Sequence, residues 1–136
     1  MINFKCKKFY IETKRVKLPN GQVGEFSTLI KRPGSNVIPI MGDGTILLAL
    51  QYRPSVKKWV YQLAGGKVEV GETPKQNAMK ELEEELGYKA KTMKLIGKFY
   101  SAPHISNDLQ YIFLATGLKK IRKRLEYGEN IRTRRM

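Results

Sequence analysis

The residues best suited to do chemistry form one short acidic run, Glu81-Leu82-Glu83-Glu84-Glu85. In a helix each residue steps about 100° around the axis. With Glu81 at zero, Glu85 falls at about 40° and Glu84 at about 300°, while Glu83 points away near 200°. Ala78, Met79, Leu82 and Leu86 fall between about 60° and 160°, a contiguous apolar stripe for a core. Glu81 and Glu85 then border that stripe, half-shielded from water. Like charges four residues apart repel, and burial adds a desolvation cost. A hard divalent cation removes both costs. Mg²⁺ takes oxygen ligands and is commonly held by one or two carboxylates, with waters and substrate phosphates completing its shell. On the helix alone, a solvated acidic face with a Lys80–Glu84 pair is the competing reading.

An anionic knot stands out here because the chain is cationic: 26 Lys and Arg against 12 Asp and Glu give +14. Such a field attracts polyanions, including nucleotides, nucleic acid and acidic membrane surfaces. Six cations and one acid lie in residues 1–17, and eight cations and two acids in residues 119–136. These basic ends read as solvated surface before they read as a dedicated nucleic-acid site.

The chain of 136 residues suits one domain over 1–136 and argues against a multi-domain enzyme. No apolar run approaches the roughly 18 residues of a membrane span, and the N-terminus lacks the apolar stretch of a secretory signal. A single cysteine, Cys6, excludes an internal disulfide and a Cys-based zinc cluster. It reads as a small apolar residue, and a reducing, cytoplasmic setting is expected.

The elements that must hold the acids follow from local signals. Phe4–Ile11 and Arg15–Leu18 are strand-like. Pro19-Asn20-Gly21-Gln22 is a turn, with Val23–Lys31 as the hairpin partner. Asn36–Met41, Thr45–Gln51, Trp59–Gln62, Lys94–Phe99 and Leu109–Thr116 read as further strands, with Gly65 and Gly66 in a loop. Trp59 and Tyr61 fall on one face of their strand and read as packing. The helix spans 74–86: Thr73 caps it, Pro74 opens it, Gln76 completes a capping box and Gly87 stops it. The tail 119–136 is expected to be partly loose, apart from an extended piece near Asn130–Arg132. One helix among many strands gives an α+β domain.

From Gly66 the chain reads Gly66-Lys67-Val68-Glu69-Val70-Gly71-Glu72, then seven residues, then Lys80-Glu81-Leu82-Glu83-Glu84-Glu85-Leu86-Gly87-Tyr88. This resembles the Nudix box, G-x5-E-x7-R-E-U-x-E-E-x-G-U with U bulky and apolar, and departs from it only at Lys80. Gln51-Tyr52-Arg53-Pro54 and Gln62-Leu63-Ala64-Gly65-Gly66-Lys67 are similar to segments of the ADP-ribose pyrophosphatase branch of that family. So is Phe99-Tyr100-Ser101-Ala102-Pro103-His104-Ile105-Ser106, whose proline lies fifteen residues past Tyr88, at the branch position.

The resemblance implies an αβα Nudix sandwich with a mixed sheet, Mg²⁺ dependence (Mn²⁺ as a substitute), and cleavage of a nucleoside diphosphate sugar such as ADP-ribose to AMP and a sugar phosphate. Carried over by position, Glu81 and Glu85 are the principal metal ligands, Glu84 a further one, and the Gly65 carbonyl a main-chain one. Glu72 contacts the metal through water or orients the helix acids, with Lys80 where an arginine is expected. Arg53 grips diphosphate, Pro103 marks the substrate loop, and Phe26 stands where the branch stacks adenine across a dimer. Asp108 aligns with a loop glutamate that takes the proton from water, with Glu84 as the alternative base. His104 replaces a glycine and is read as a loop residue. Residues 1–32 are the expected dimerisation strands of a homodimer.

Two departures matter. Gln62-Leu63-Ala64-Gly65 lacks the usual glutamate and proline, and the C-terminal helix of the branch is expected to be shortened or missing. Two other readings stay open: an RNA 5′-end or nucleotide pyrophosphohydrolase, which suits the charge, and a non-catalytic nucleotide-binding module, against which the intact acids argue.

Overall fold

The computed structural model describes residues 1–127 and 129–136. Among these residues ten strands and one α-helix follow in chain order. They are β1 (Ile2–Lys5), β2 (Tyr10–Lys17), β3 (Val23–Ile30), β4 (Gly34–Pro39), β5 (Leu47–Arg53), β6 (Lys58–Gln62), β7 (Ala64–Lys67), α1 (Pro74–Glu81), β8 (Tyr88–Tyr100), β9 (Leu109–Lys120) and β10 (Ile131–Arg135). A π-helical turn, Leu82–Leu86, joins α1 to β8.

The strands make three sheets: β1-β2-β3, β10-β5-β6, and a mixed sheet in the order β7-β4-β9-β8. Among the described strand pairs, β4 and β9 are the parallel one, with Val37 opposite Phe113. Alternation decides which side chains face inward. Leu47 and Ala49 of β5, Ile131 of β10, and Val37, Ala64, Met93, Phe113 and Ala115 of the mixed sheet are buried, and Ala78, Leu82 and Leu86 of the helical segment pack among them. This core anchors the helical segment that carries the acids.

Thr73 caps α1 as expected. Its hydroxyl accepts from the Gln76 amide at 3.2 Å, and the Gln76 side chain accepts from the Thr73 amide at 2.8 Å. Gly87 ends the segment in the left-handed region with φ 75°, a conformation cheap only for glycine.

Several expectations need correction. Gly65 and Gly66 sit in a strand, β7, because their backbone pairs with Ser35 and Asn36 of β4. The first strand breaks at Cys6, which is exposed and not packed, and β2 runs unbroken through 10–17. Trp59 and Tyr61 lie on the outward side of β6. There Tyr52 meets Trp59 edge-on and the Arg132 guanidinium lies 4.4 Å over the indole. Met79, expected in the apolar stripe, is 42% exposed.

The tail is better held than its composition implies. β10 pairs with β5 from Ile131 to Arg135, beyond the expected Asn130–Arg132. Lys123 donates to the Ile131 carbonyl at 2.7 Å. Gly128 lies outside the described residues, and among the described ones no helix follows β9.

Candidate active site

The ends of β3, β4, β5, β7 and the helical segment enclose a cleft of about 520 Å³, within the usual range for small-molecule sites. Glu81 and Glu85 reach it from one side, Gly65 and Gly66 form its floor, and Lys31, Arg32, Arg53 and Lys67 bring positive charge to its walls.

Glu85 is 5% exposed and accepts the Gly65 amide at 2.9 Å. Burial, followed by the repulsion of Glu81, pushes its pKa up to about 7 against that hydrogen bond. Glu81 is also raised to about 7, by burial first and by the neighbouring Glu84, against the pull of Lys80. Two adjacent, desolvated acids of this kind are a donor set for a hard cation. The glycines make room for them: a Cβ on Gly66 would collide with the Glu81 carboxylate, and one on Gly65 with the Ser35 carbonyl and Asn36. This donor set and cradle fit a divalent metal.

Glu84 is not on the wall of the cleft that Glu81 and Glu85 share, although its charge is near enough to raise the Glu81 pKa. It lines a neighbouring groove with Lys80, Glu83, Lys89, Ile121, Arg122 and Arg124, and among the described residues no three acidic, histidine or cysteine side chains gather around one point. The reason is local. A π turn holds more residues than an α turn, so each residue steps round by less than 100°. Glu85, four on from Glu81, lines the same cleft, while Glu84, three on, lines the next groove.

Glu72 accepts from the Glu69 amide at 3.1 Å and from Asn77 at 2.9 Å, and pairs with Lys80 at 3.1 Å. Burial works to raise its pKa, but these donors together hold it below the ordinary carboxylate value. Lys80 thus supports a charge beside the cleft wall it lines. Asn77, fully buried, was missed. Its amide bridges Glu72 and the Lys67 carbonyl, and its oxygen accepts from Ser35. A polar residue one turn before Glu81 was its only sequence signal.

Arg53 lines the cleft, braced by Gln62 at 2.7 Å. Phe26 and Pro103 are not part of the cleft wall. Phe26 is 43% exposed on β3, and Pro103 lies in the turn whose Ile105 carbonyl accepts from the Leu29 amide at 2.8 Å. His104 is exposed in the same turn. Asp108 does reach the cleft, with Lys31 2.6 Å away. Lys31, Arg32, Gln110, Glu126 and Glu129 also line it, and no motif pointed to them.

The NUDIX domain family matches residues 30–133. The chain belongs to this family. It is 32% identical over 128 residues to the ADP-ribose pyrophosphatase of Bacillus subtilis (strain 168), covering 93% of this chain and 69% of that protein. It is 30% identical over 115 residues to the ADP-ribose pyrophosphatase of Mycobacterium tuberculosis, covering 83% of this chain and 55% of that one. Against the ADP-sugar pyrophosphatase of Mus musculus it is 31% identical over 109 residues, with 72% and 50% covered. The chain therefore spans only 50% to 69% of the length of these relatives. The crystal structure of an ADP compounds hydrolase superposes with a TM-score of 0.85 over 99% of this chain and 74% of that one, at 20% identity, which establishes the Nudix fold. Among the described residues the fold has a single short α-helix, in line with the expected shortening or loss of the C-terminal helix.

Proposed function

We propose that this Nudix domain hydrolyses the diphosphate bond of ADP-ribose, or of a related nucleoside diphosphate sugar, to AMP and a sugar phosphate. The observation that carries the reading is the Glu81–Glu85 pair set over the Gly65–Gly66 cradle in a cleft walled by cations. The names of the relatives point to the same substrates.

In this reading Glu81 and Glu85, with the Gly65 main chain, hold a divalent cation, taken as Mg²⁺ with Mn²⁺ as a substitute. When bound, the ion stabilises charge on the phosphoryl oxygens and activates water. Glu72, fixed by Asn77 and Lys80, steadies the helical acids. Arg53 presents a planar fork to the diphosphate, the geometry that suits phosphate oxygens. Positioning and charge stabilisation do most of the work in phosphoryl transfer.

The N-terminal sheet leaves Ile2, Phe4, Val23 and Phe26 exposed, which supports a homodimer formed through residues 1–32. No helix among the described residues is long and apolar enough to cross a membrane, and the exposed Cys6 thiol fits a reducing cytoplasm.

The test is incubation with ADP-ribose, ADP-glucose and 5′-triphosphorylated RNA, each with and without Mg²⁺. Metal-dependent release of AMP from ADP-ribose is expected. Turnover of the RNA alone would replace the reading with an RNA-end hydrolase. Tight ADP-ribose binding without turnover would make the chain a binding module.

A further inference from the structure

Asp108 aligns with a family base, but its surroundings suit another task. Lys31 donates to Oδ2 at 2.6 Å, Ser101 donates to the same oxygen at 2.9 Å, and Gln110 donates to Oδ1 at 2.6 Å. The Asp108 side chain is only 9% exposed, whereas that of Lys31 is 36% exposed. The network extends in both directions. The Lys31 amide donates to Asn107 at 2.8 Å, and Gln110 accepts from Asn36 at 2.8 Å. Asn36 packs against Gly65, and Gly34 leaves the space that the Gln110 amide fills.

We propose that Asp108 is a positioning residue: it fixes Lys31 on the cleft wall as an anion-binding group for the diphosphate, and it does not take the proton from the attacking water. This rests on the function proposed above. A general base needs an oxygen open to a water within about 3 Å. Two donors fill Oδ2 and Gln110 holds Oδ1, on a side chain only 9% exposed, and although burial works to raise its pKa, Lys31, Ser101 and Gln110 hold it below the usual carboxylate range. Lys31 has the opposite character. An ammonium carries three donors, of which Asp108 takes one, and Lys31 lines a cleft that also holds Arg32, Arg53 and Lys67. The pair is therefore a pre-set cation, its long side chain immobilised before the ligand arrives.

The experiment compares wild type, K31M, D108A, D108N and K31M/D108N. It reads kcat and KM for ADP-ribose with Mg²⁺ across pH, and calorimetric binding of the non-cleavable α,β-methylene analogue. K31M and D108A should each raise KM and the analogue Kd about tenfold, the loss expected for one charge-assisted hydrogen bond. kcat should stay within about threefold, with the acid limb of the pH profile kept. D108N retains an acceptor oxygen and should lie between, and the double variant should be no worse than K31M alone.

A fall in kcat of about 100-fold in D108N with unchanged KM and loss of the acid limb would make Asp108 the base and overturn the proposal. Unchanged KM and Kd in K31M would overturn it as well. If D108A fails to fold, D108N and K31M carry the same test. If wild type does not turn over ADP-ribose, the functional reading fails on its own. The analogue Kd then still decides the role of Lys31: a tenfold loss in K31M upholds it and no change refutes it.

Discussion

Two adjacent glycines offer a sharp separation of folding from catalysis. A Cβ on Gly66 would meet the Glu81 carboxylate, the far end of a flexible side chain, whereas one on Gly65 would meet the Ser35 carbonyl and the Asn36 Cα, both backbone. In G66A the carboxylate can swing aside at an off-rotamer cost of about 0.5–1.5 kcal/mol. Replacing a strand glycine returns about 0.5–1 kcal/mol, so the two nearly cancel and Tm should move by less than about 3 °C. The displaced Glu81 can no longer share an ion with Glu85, and a misplacement of about 1 Å costs about 100-fold in rate. In G65A the β4–β7 pairing itself must give way. Overpacking of this kind costs about 1–3 kcal/mol, and Tm should fall by at least about 4 °C. Calorimetric unfolding without metal, together with Mg²⁺-dependent AMP release, reads both quantities. A G66A protein with near wild-type activity, or one as unstable as G65A, would refute the assigned geometry.

E85Q should lose at least about 100-fold in kcat, since a metal ligand supplies several kcal/mol of charge stabilisation. It should nevertheless raise the metal-free Tm at pH 8. The Glu81 and Glu85 pKa values stand near 7, above the ordinary 4.5, so between those values the folded state binds more protons than the unfolded one. Metal-free stability should therefore fall as pH rises from about 5 to 8, and added Mg²⁺ should reverse the loss; a flat Tm profile would contradict the buried-pair geometry. K80R should keep or raise kcat/KM, because the arginine fork can grip Glu72 through two bonds where lysine makes one contact; a tenfold loss would show that the Lys80–Glu72 pair is misassigned. N77A should cost about 1–3 kcal/mol in urea unfolding by stranding the buried Ser35 hydroxyl and Lys67 carbonyl, and activity should fall with it as Glu72 loosens.

Sequence alone determined the parts that depend on local rules. The Thr73 cap, the Gly87 stop, the β2–β3 hairpin and the pairing of Glu81 with Glu85 are all set within a few residues of chain, by side-chain capping, left-handed glycine geometry and helical spacing. Non-local contacts decided most of the rest, and the local form of the helix decided one part. Gly65 and Gly66 read as a loop because glycine lacks strand propensity, yet β4 supplies their hydrogen bonds and makes them a strand. Glu84 was expected beside its neighbours because the wheel assumed 3.6 residues per turn throughout. The five-residue π turn overturned that assumption within the same motif. Lys31 and Asp108, 77 residues apart, and the tail pairing of β10 with β5 carry no periodic signature. Their partners are chosen by how the mixed sheet and the β10-β5-β6 sheet close on the helical segment and bring distant loops together, and a linear pattern of residue types does not encode that choice.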